Sequence, residues 1–365
     1  MVVLLGPSRD AISGVTTHLN GLLGSRLTTR FDLLHFQVGS QGRREGFLGR
    51  LARLAASPFL LAATLLRTGA ALLHINTSLN AKAFWRDLAY LGVAKLCGAR
   101  VLYQVHGGRL DEFAYGLGFF GAFVRASLRL ADAVVVLSRA QHDAFRARLP
   151  GHAVEVVPNG IDCAPYTRYN RAAPDPGAPL RLIYIGRLAP AKGLLETIEA
   201  LRLARARGVA ARLVLAGSGP EEPRLRQYVR DAGLARDVAF VGPAYGSHKA
   251  QLLAQADSLV LASYGEGLPY SLLEAMAAGC VPIVTPVGAI PDVVIEGEHG
   301  VFVAPRDADA ISTAISRLAA DRPALARMSA ACRARIAAGY SLERVARDFS
   351  ALYWSLCAMR TPRTA

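Results

Sequence analysis

Short Val-, Ile- and Leu-rich runs alternate with longer stretches of helical periodicity along almost the whole chain, the pattern of βαβ units stacked around parallel sheets. A first series of strands is predicted at Val2–Leu5, Asp32–Val38, Leu72–Asn76, Val101–Val105, Ala133–Leu137 and Val154–Val157. A second follows at Arg181–Ile185, Arg212–Ala216, Val238–Val241, Ser258–Leu261, Val281–Val284 and Gly300–Val303. Between them lies PNGIDCAPYTRYNRAAPDPGAP, residues 158–179, whose proline and polar content without apolar period marks a linker. From about Asp307 helices follow without strands.

These signals predict an α/β chain of two doubly wound domains, 1–165 and 166–341, with a last helix over 342–358 packing back on the first. Two such domains facing each other across a cleft place the loops that follow their strands at the ligand. A length of 365 residues suits two cores of ordinary size. Apolar residues make up 52% and charged residues 19%, which excludes a disordered chain.

Charge adds a direction. The formal net charge is +14, and residues 1–170 hold 19 basic against 10 acidic side chains, so the first half is the more basic. Such an excess favours phosphates, nucleic acid or an anionic membrane. No basic motif with interleaved aromatics supports nucleic acid, which is not expected as a partner. The segment 42–67 mixes Arg43, Arg44, Arg50 and Arg53 with Leu and Phe at helical spacing, as suits either a helix lying on an anionic bilayer or a core helix with a basic edge. Its apolar run between Arg53 and Arg67 is only thirteen residues long and includes Pro58, too short for a span of about twenty residues. Five scattered cysteines without a CxxC pair suggest a reducing compartment, and MVVLLGPSRD lacks the basic start of a secretory signal, so a cytoplasmic protein is expected.

Candidate chemistry lies in the loops after strands. In ASYGEGLPYSLLEAMAAGCVPIVTPVG, Glu266 stands in a loop and Glu274 in the helix that follows, placed to grip two ends of a polyol. Between them Gly267, Leu268, Pro269 and Tyr270 lead into a helix start that favours an anion such as a diphosphate. For an isolated pair of glutamates, a capped helix with one surface Glu and one local salt bridge is the blander alternative. IGRLAPAKGL ends a strand at Gly186 and sets Arg187 and Lys192 before the next helix, two cations suited to phosphate oxygens. Gly217 and Gly219 in LAGSGPEEPRL let a backbone approach a ligand closely. In the first half Ser13 and Gly14 precede a helix, and His106, Gly107 and Gly108 follow a strand. Asp307 and Asp309 form the one Asp-x-Asp and read as a helix cap, not a metal site.

In order along the chain, SGVTTHL, VHGG, VVVLS, VVPNGID, IGRLAPAKG, AGSGP and EGLPYSLLEAMAAGCVPIV resemble the retaining glycosyltransferases of family four and GT-B fold, among them bacterial capsule and exopolysaccharide enzymes. The resemblance implies an enzyme that moves a sugar, hexosyl in type, from a nucleotide diphosphate sugar to a lipid-linked or polysaccharide acceptor. Retention of configuration is implied, with no metal and no other cofactor. It assigns the transferred sugar to Glu266, the ribose to Glu274 and the diphosphate to Arg187 and Lys192. His106 would touch the sugar or its phosphate, and Gly14 would admit the diphosphate, with Ser13 standing where many relatives have a second glycine. Arg109 stands where capsule-type relatives often carry an acid, followed by Leu110, Asp111 and Glu112. A peripheral location on the inner face of the cell membrane would bring the enzyme to a lipid-linked acceptor. A non-catalytic subunit that binds nucleotide sugar for a membrane-associated complex is the competing class, to be separated by donor hydrolysis.

Overall fold

The computed structural model describes residues 1–39, 46–107, 118–169 and 177–358. Arg43, Arg44, Gly108, Arg109, Leu110, Asp111 and Glu112 lie outside the described residues. The chain forms two compact units, one of Met1–Gly160 with the segment from Leu342 onward, the other Ile161–Ser341. The predicted boundary at 165 thus falls five residues into the second unit.

In the first unit six parallel strands, β1 (Val2–Gly6), β2 (Leu33–Gln37), β3 (Leu72–Thr77), β4 (Arg100–Val105), β5 (Ala133–Val136) and β6 (Val154–Val156), pair in the order β2-β1-β3-β4-β5-β6. Alternate residues feed two cores, as the twofold period of a strand requires. Val3, Leu5, Leu73, Ile75, Val101 and Tyr103 pack with Leu61, Phe84, Tyr90 and Val124 on one face. Val2, Leu4, Leu72, Leu102 and Val135 face the other, against Leu19 of α1 (Gly14–Gly24) and Val345, Phe349, Tyr353 and Leu356 of the C-terminal helix Leu342–Ala358.

The helix α2 (Phe47–Thr68) corrects one expectation. It continues through Pro58 for 22 residues, long and apolar enough by length and composition to cross a membrane, beyond the apolar run that Arg53 and Arg67 delimit. Pro58 lacks the N–H that would bond the Leu54 carbonyl, and the Ser57 hydroxyl donates to that oxygen instead, at 3.3 Å. Only Ser57, Leu61 and Leu65 are buried, so the second half packs on the sheet. The first half is exposed on nearly every side, with Phe47 at 75% and Leu48 at 79%.

The second unit carries β7 (Leu180–Ile185), β8 (Ala211–Ala216), β9 (Val238–Phe240), β10 (Ser258–Leu261), β11 (Val281–Val284) and β12 (Val301–Phe302), all parallel, in the order β12-β11-β10-β7-β8-β9. Strand order reverses between β7 and β10, the first and fourth strands of the unit, and a crevice for ligands opens beyond the carboxyl ends at such a reversal.

Candidate functional site

The two loops that flank this reversal hold most of the residues singled out by sequence. The loop after β7 runs from Gly186 through a short 3₁₀ turn, Pro190–Lys192, to Gly193, and the loop after β10 runs from Ala262 to Pro269. They are tied together: the Tyr264 amide donates to the Ala191 carbonyl at 2.9 Å. Gly193 adopts φ +65°, and a Cβ there would overlap the Ala262 carbonyl, so only glycine admits both the turn and the close approach. The Tyr184 hydroxyl donates to the Arg187 carbonyl at 2.8 Å, which fixes the start of the first loop.

Lys192 and Glu266, 74 positions apart in sequence, meet at the centre: Nζ lies 2.6 Å from Oε1. Their side chains are 26% and 11% exposed, so the pair is sheltered yet reachable. Arg187 is exposed, and no hydrogen bond or ion pair of its guanidinium is found among the described residues. Behind Glu266 the Ala289 amide donates to the Gly267 carbonyl at 2.8 Å, bracing the turn from the loop after β11. Pro269 caps the helix Tyr270–Ala277 in extended geometry. The amides of Tyr270 and Ser271 point out of its first turn without intrahelical acceptors. Arg187, Lys192, Gly186, Glu266, Gly267, Leu268, Pro269 and Tyr270 thus lie on two adjoining loops and one helix tip.

Glu274, one turn further along that helix, is 5% exposed. Its Oε1 is 2.6 Å from Nζ of Lys249, on the helix Gly246–Gln255. Tyr166, on the short helix Ala164–Thr167, is coupled electrostatically to the same carboxylate. Burial foremost, and then this carboxylate, push the Tyr166 hydroxyl far up from its ordinary pKa, and Tyr270 behaves likewise. Sequence reasoning missed Lys249 and Tyr166, since neither stands in a motif and only tertiary structure joins them to Glu274.

Gly217 follows β8. It makes room for protein: a Cβ there would overlap the Gly186 carbonyl, so the glycine lets the loop after β8 nest under the loop after β7. Tyr264 was missed as well. Its hydroxyl donates to Glu196 at 2.6 Å and its ring lies 4.4 Å beneath the Arg306 guanidinium. Asp307 caps its helix as expected, accepting from the Ala310 amide at 2.8 Å, while Asp309 pairs with Arg207 at 2.9 Å.

His106 and Gly14 belong to the first unit. Ser13 is the N-cap of α1, accepting from the Thr16 amide at 3.1 Å, a task that glycine at this position would leave undone. Gly14 opens that helix. His106 follows β4 and its Nε2 lies 2.8 Å from Asn76 Oδ1, so that nitrogen carries the proton. The His18 ring stands 4.6 Å away. His74 bonds Tyr353 at 2.7 Å and Gln104 at 2.9 Å. Burial first, and then the other two imidazoles, hold the pKa of His106 well below its ordinary value. Burial lowers His18 and His74 to about 3. Neutral imidazoles therefore line this end of the first sheet at physiological pH.

Comparison with known proteins agrees with this construction. Residues 168–335 match the group 1 glycosyl transferases and residues 24–165 match glycosyltransferase family 4. A GDP-mannose-dependent alpha-(1-6)-phosphatidylinositol monomannoside mannosyltransferase of Mycolicibacterium smegmatis is 31% identical over 67% of this chain and 68% of its own length. Glycogen synthase of Mycobacterium tuberculosis is 32% identical over 65% of this chain, but the match spans just over half, 56%, of that relative. In fold the chain is similar to Anabaena Alr3699/HepE, solved in complex with UDP, at a TM-score of 0.75 and 18% identity over 97% of this chain and 99% of the other. The chain belongs to the family-four glycosyltransferases and has the GT-B fold, two Rossmann-like α/β units.

Proposed function

We propose that the chain is a hexosyltransferase-like enzyme that takes a sugar from a nucleoside diphosphate and gives it to an acceptor with retention of configuration. The observation that carries this reading is the meeting of Lys192 and Glu266 at the strand reversal of the second unit, beside Arg187 and a helix tip. A cation and a carboxylate in contact are what a phosphorylated sugar would part, taking the ammonium for its phosphate oxygens and the carboxylate for its hydroxyls. An ion pair this sheltered adds little net stability, because desolvation offsets most of its attraction. Readiness for a ligand is the better account of it.

In the proposed reaction the bond from the anomeric carbon to the phosphate oxygen breaks, and negative charge grows on the leaving diphosphate. Arg187, Lys192 and the first-turn amides at Tyr270 and Ser271 stabilise that charge, the part a metal plays in other transferases. The acceptor oxygen bonds the anomeric carbon on the face the phosphate leaves, and its proton passes to a phosphate oxygen. His106 enters through the resemblance, as a neutral imidazole for the sugar or its phosphate. Relatives described as acting with GDP-mannose, and a structural neighbour holding UDP, make a nucleotide sugar the natural donor class.

A lipid-linked or polysaccharide precursor is the proposed acceptor, reached from the cytoplasmic face of the membrane. The exposed first half of α2 supports this: Phe47, Leu48, Leu51 and Leu54 stand in solvent beside Arg50, and the helix holds no acidic residue. Cys97, Cys163, Cys280, Cys332 and Cys357 stand as thiols, which suits a reducing compartment. The test is a panel of UDP-, GDP-, ADP- and dTDP-sugars, scored first by thermal stabilisation and then by release of nucleoside diphosphate, with the anomer of any product read by NMR. Stabilisation and turnover by one donor are expected, whereas stabilisation without turnover would favour a non-catalytic binding subunit.

A further inference from the structure

Glu274 is the hub of a small buried cluster assembled from three helices that sequence does not connect. Lys249 Nζ holds one oxygen at 2.6 Å, with the two side chains 19% and 7% exposed. The Tyr166 hydroxyl lies in the field of the same carboxylate, and burial first, then that field, push its pKa up. Tyr270, one turn before Glu274, keeps its hydroxyl oxygen buried with no hydrogen-bond partner among the described residues.

Each of these facts bears on a ligand. A carboxylate paired with a lysine has about four lone-pair sites, and among the described residues the hydrogen bond from Lys249 occupies one of them. A buried hydroxyl without a partner is costly unless something supplies the partner, and Tyr270 begins the helix whose tip borders the strand reversal. A helix junction alone gains little from a buried ion pair, since apolar side chains of similar size hold helices at least as well. The groups left open, carboxylate lone pairs and one hydroxyl, match two adjacent hydroxyls on a five-membered ring.

We infer that Lys249 is a positioning residue for the donor's nucleoside: it fixes one oxygen of Glu274 so that the carboxylate presents its remaining lone pairs to the ribose diol, with Tyr270 as a further hydrogen-bonding group for the same ring. This rests on the donor reading above and adds to it the residue that sets discrimination between ribose and deoxyribose.

The experiment is titration calorimetry of the full chain with ADP, CDP, GDP and UDP and with their 2′-deoxy counterparts, on wild type, Lys249→Met, Lys249→Arg and Tyr270→Phe. For whichever base binds, wild type is expected to prefer the ribonucleotide by about tenfold or more, the factor that one hydrogen bond to a charged acceptor supplies. Lys249→Met should bring that ratio close to one by weakening the ribonucleotide alone, Lys249→Arg should keep part of it, and Tyr270→Phe should lower it. A merely structural Lys249 would lower the melting temperature and leave the ratio unchanged in every variant that still binds. That result would overturn the inference, as would a wild type that binds both sugars equally, while leaving the donor reading intact. Binding of none of the four diphosphates would instead overturn the donor reading, and this inference with it.

Discussion

The two units solve the same architectural problem with opposite electrostatics. Both are parallel sheets whose carboxyl ends carry the interesting side chains, but the second unit places ions there and the first places neutral rings. In the second, Lys192 meets Glu266 and Lys249 meets Glu274, each at 2.6 Å. In the first, His18, His74 and His106 crowd together with Asn76 and Gln104, and burial keeps the imidazoles uncharged. Ion pairs can be exchanged for a charged ligand, whereas a neutral hydrogen-bonding cluster offers orientation without competing charge. The comparison teaches that two parallel sheets of the same strand number carry different chemistries, ion pairs in the second unit and neutral hydrogen-bonded rings in the first.

The largest effect should come from titrating the first unit. His18 and His74 have folded pKa values near 3 against about 6.5 when unfolded, so between those limits the unfolded chain binds protons that the folded one refuses. Stability from these groups is whole above pH 6.5 and falls as pH drops toward 3, by up to about 1.4 kcal/mol per pH unit for each histidine. Both tryptophans, Trp85 and Trp354, lie in this unit, so fluorescence-monitored unfolding from pH 7 to 5 follows it selectively. A midpoint that does not move would break the contrast drawn here.

Next in size, Glu266→Ala should lower turnover of the donor identified by the panel by about 10²- to 10³-fold, the range found when one preorganised polar group is removed from an active site. Unchanged turnover would make the Lys192–Glu266 pair structural. Arg187→Ala should weaken nucleoside diphosphate binding by about tenfold, read by calorimetry, since the guanidinium is free to form a charge-assisted bond. The smallest effect is expected on the surface. Arg50→Glu with Arg53→Glu should reduce flotation with anionic vesicles by roughly fivefold per arginine removed, near 1 kcal/mol each, and leave binding to neutral vesicles unaltered. Flotation that never depends on anionic lipid would defeat the membrane reading.

Much of this was legible before any coordinates. Most strands announced themselves as short apolar runs because parallel strands covered on both faces favour apolar residues on both sides, and β1, VVLLG, shows it plainly. Arg187, Lys192 and Glu266 could be singled out because they stand in loops after strands, and the structure sets them on two adjoining loops. What stayed hidden is tertiary. Lys249 lies 25 residues from Glu274 on a separate helix, and His18 and His74 looked like ordinary members of a helix and a strand. At Gly217 an absent Cβ says that something comes close without saying what, and in the structure the Gly186 carbonyl fills that place. The length of α2 is hidden in the sequence because arginines interrupt its apolar positions, although the helix continues past them with Ser57 covering the proline's missing bond.

The most direct test of the account compares nucleoside diphosphate affinity in Lys192→Ala and Glu266→Ala by calorimetry. If phosphate oxygens replace the carboxylate beside Lys192, the lysine variant should bind at least about tenfold more weakly, while the glutamate variant, its ammonium released from competition, binds as well as wild type or better. Equal affinity in wild type and Lys192→Ala, or a loss confined to Glu266→Ala, would contradict it.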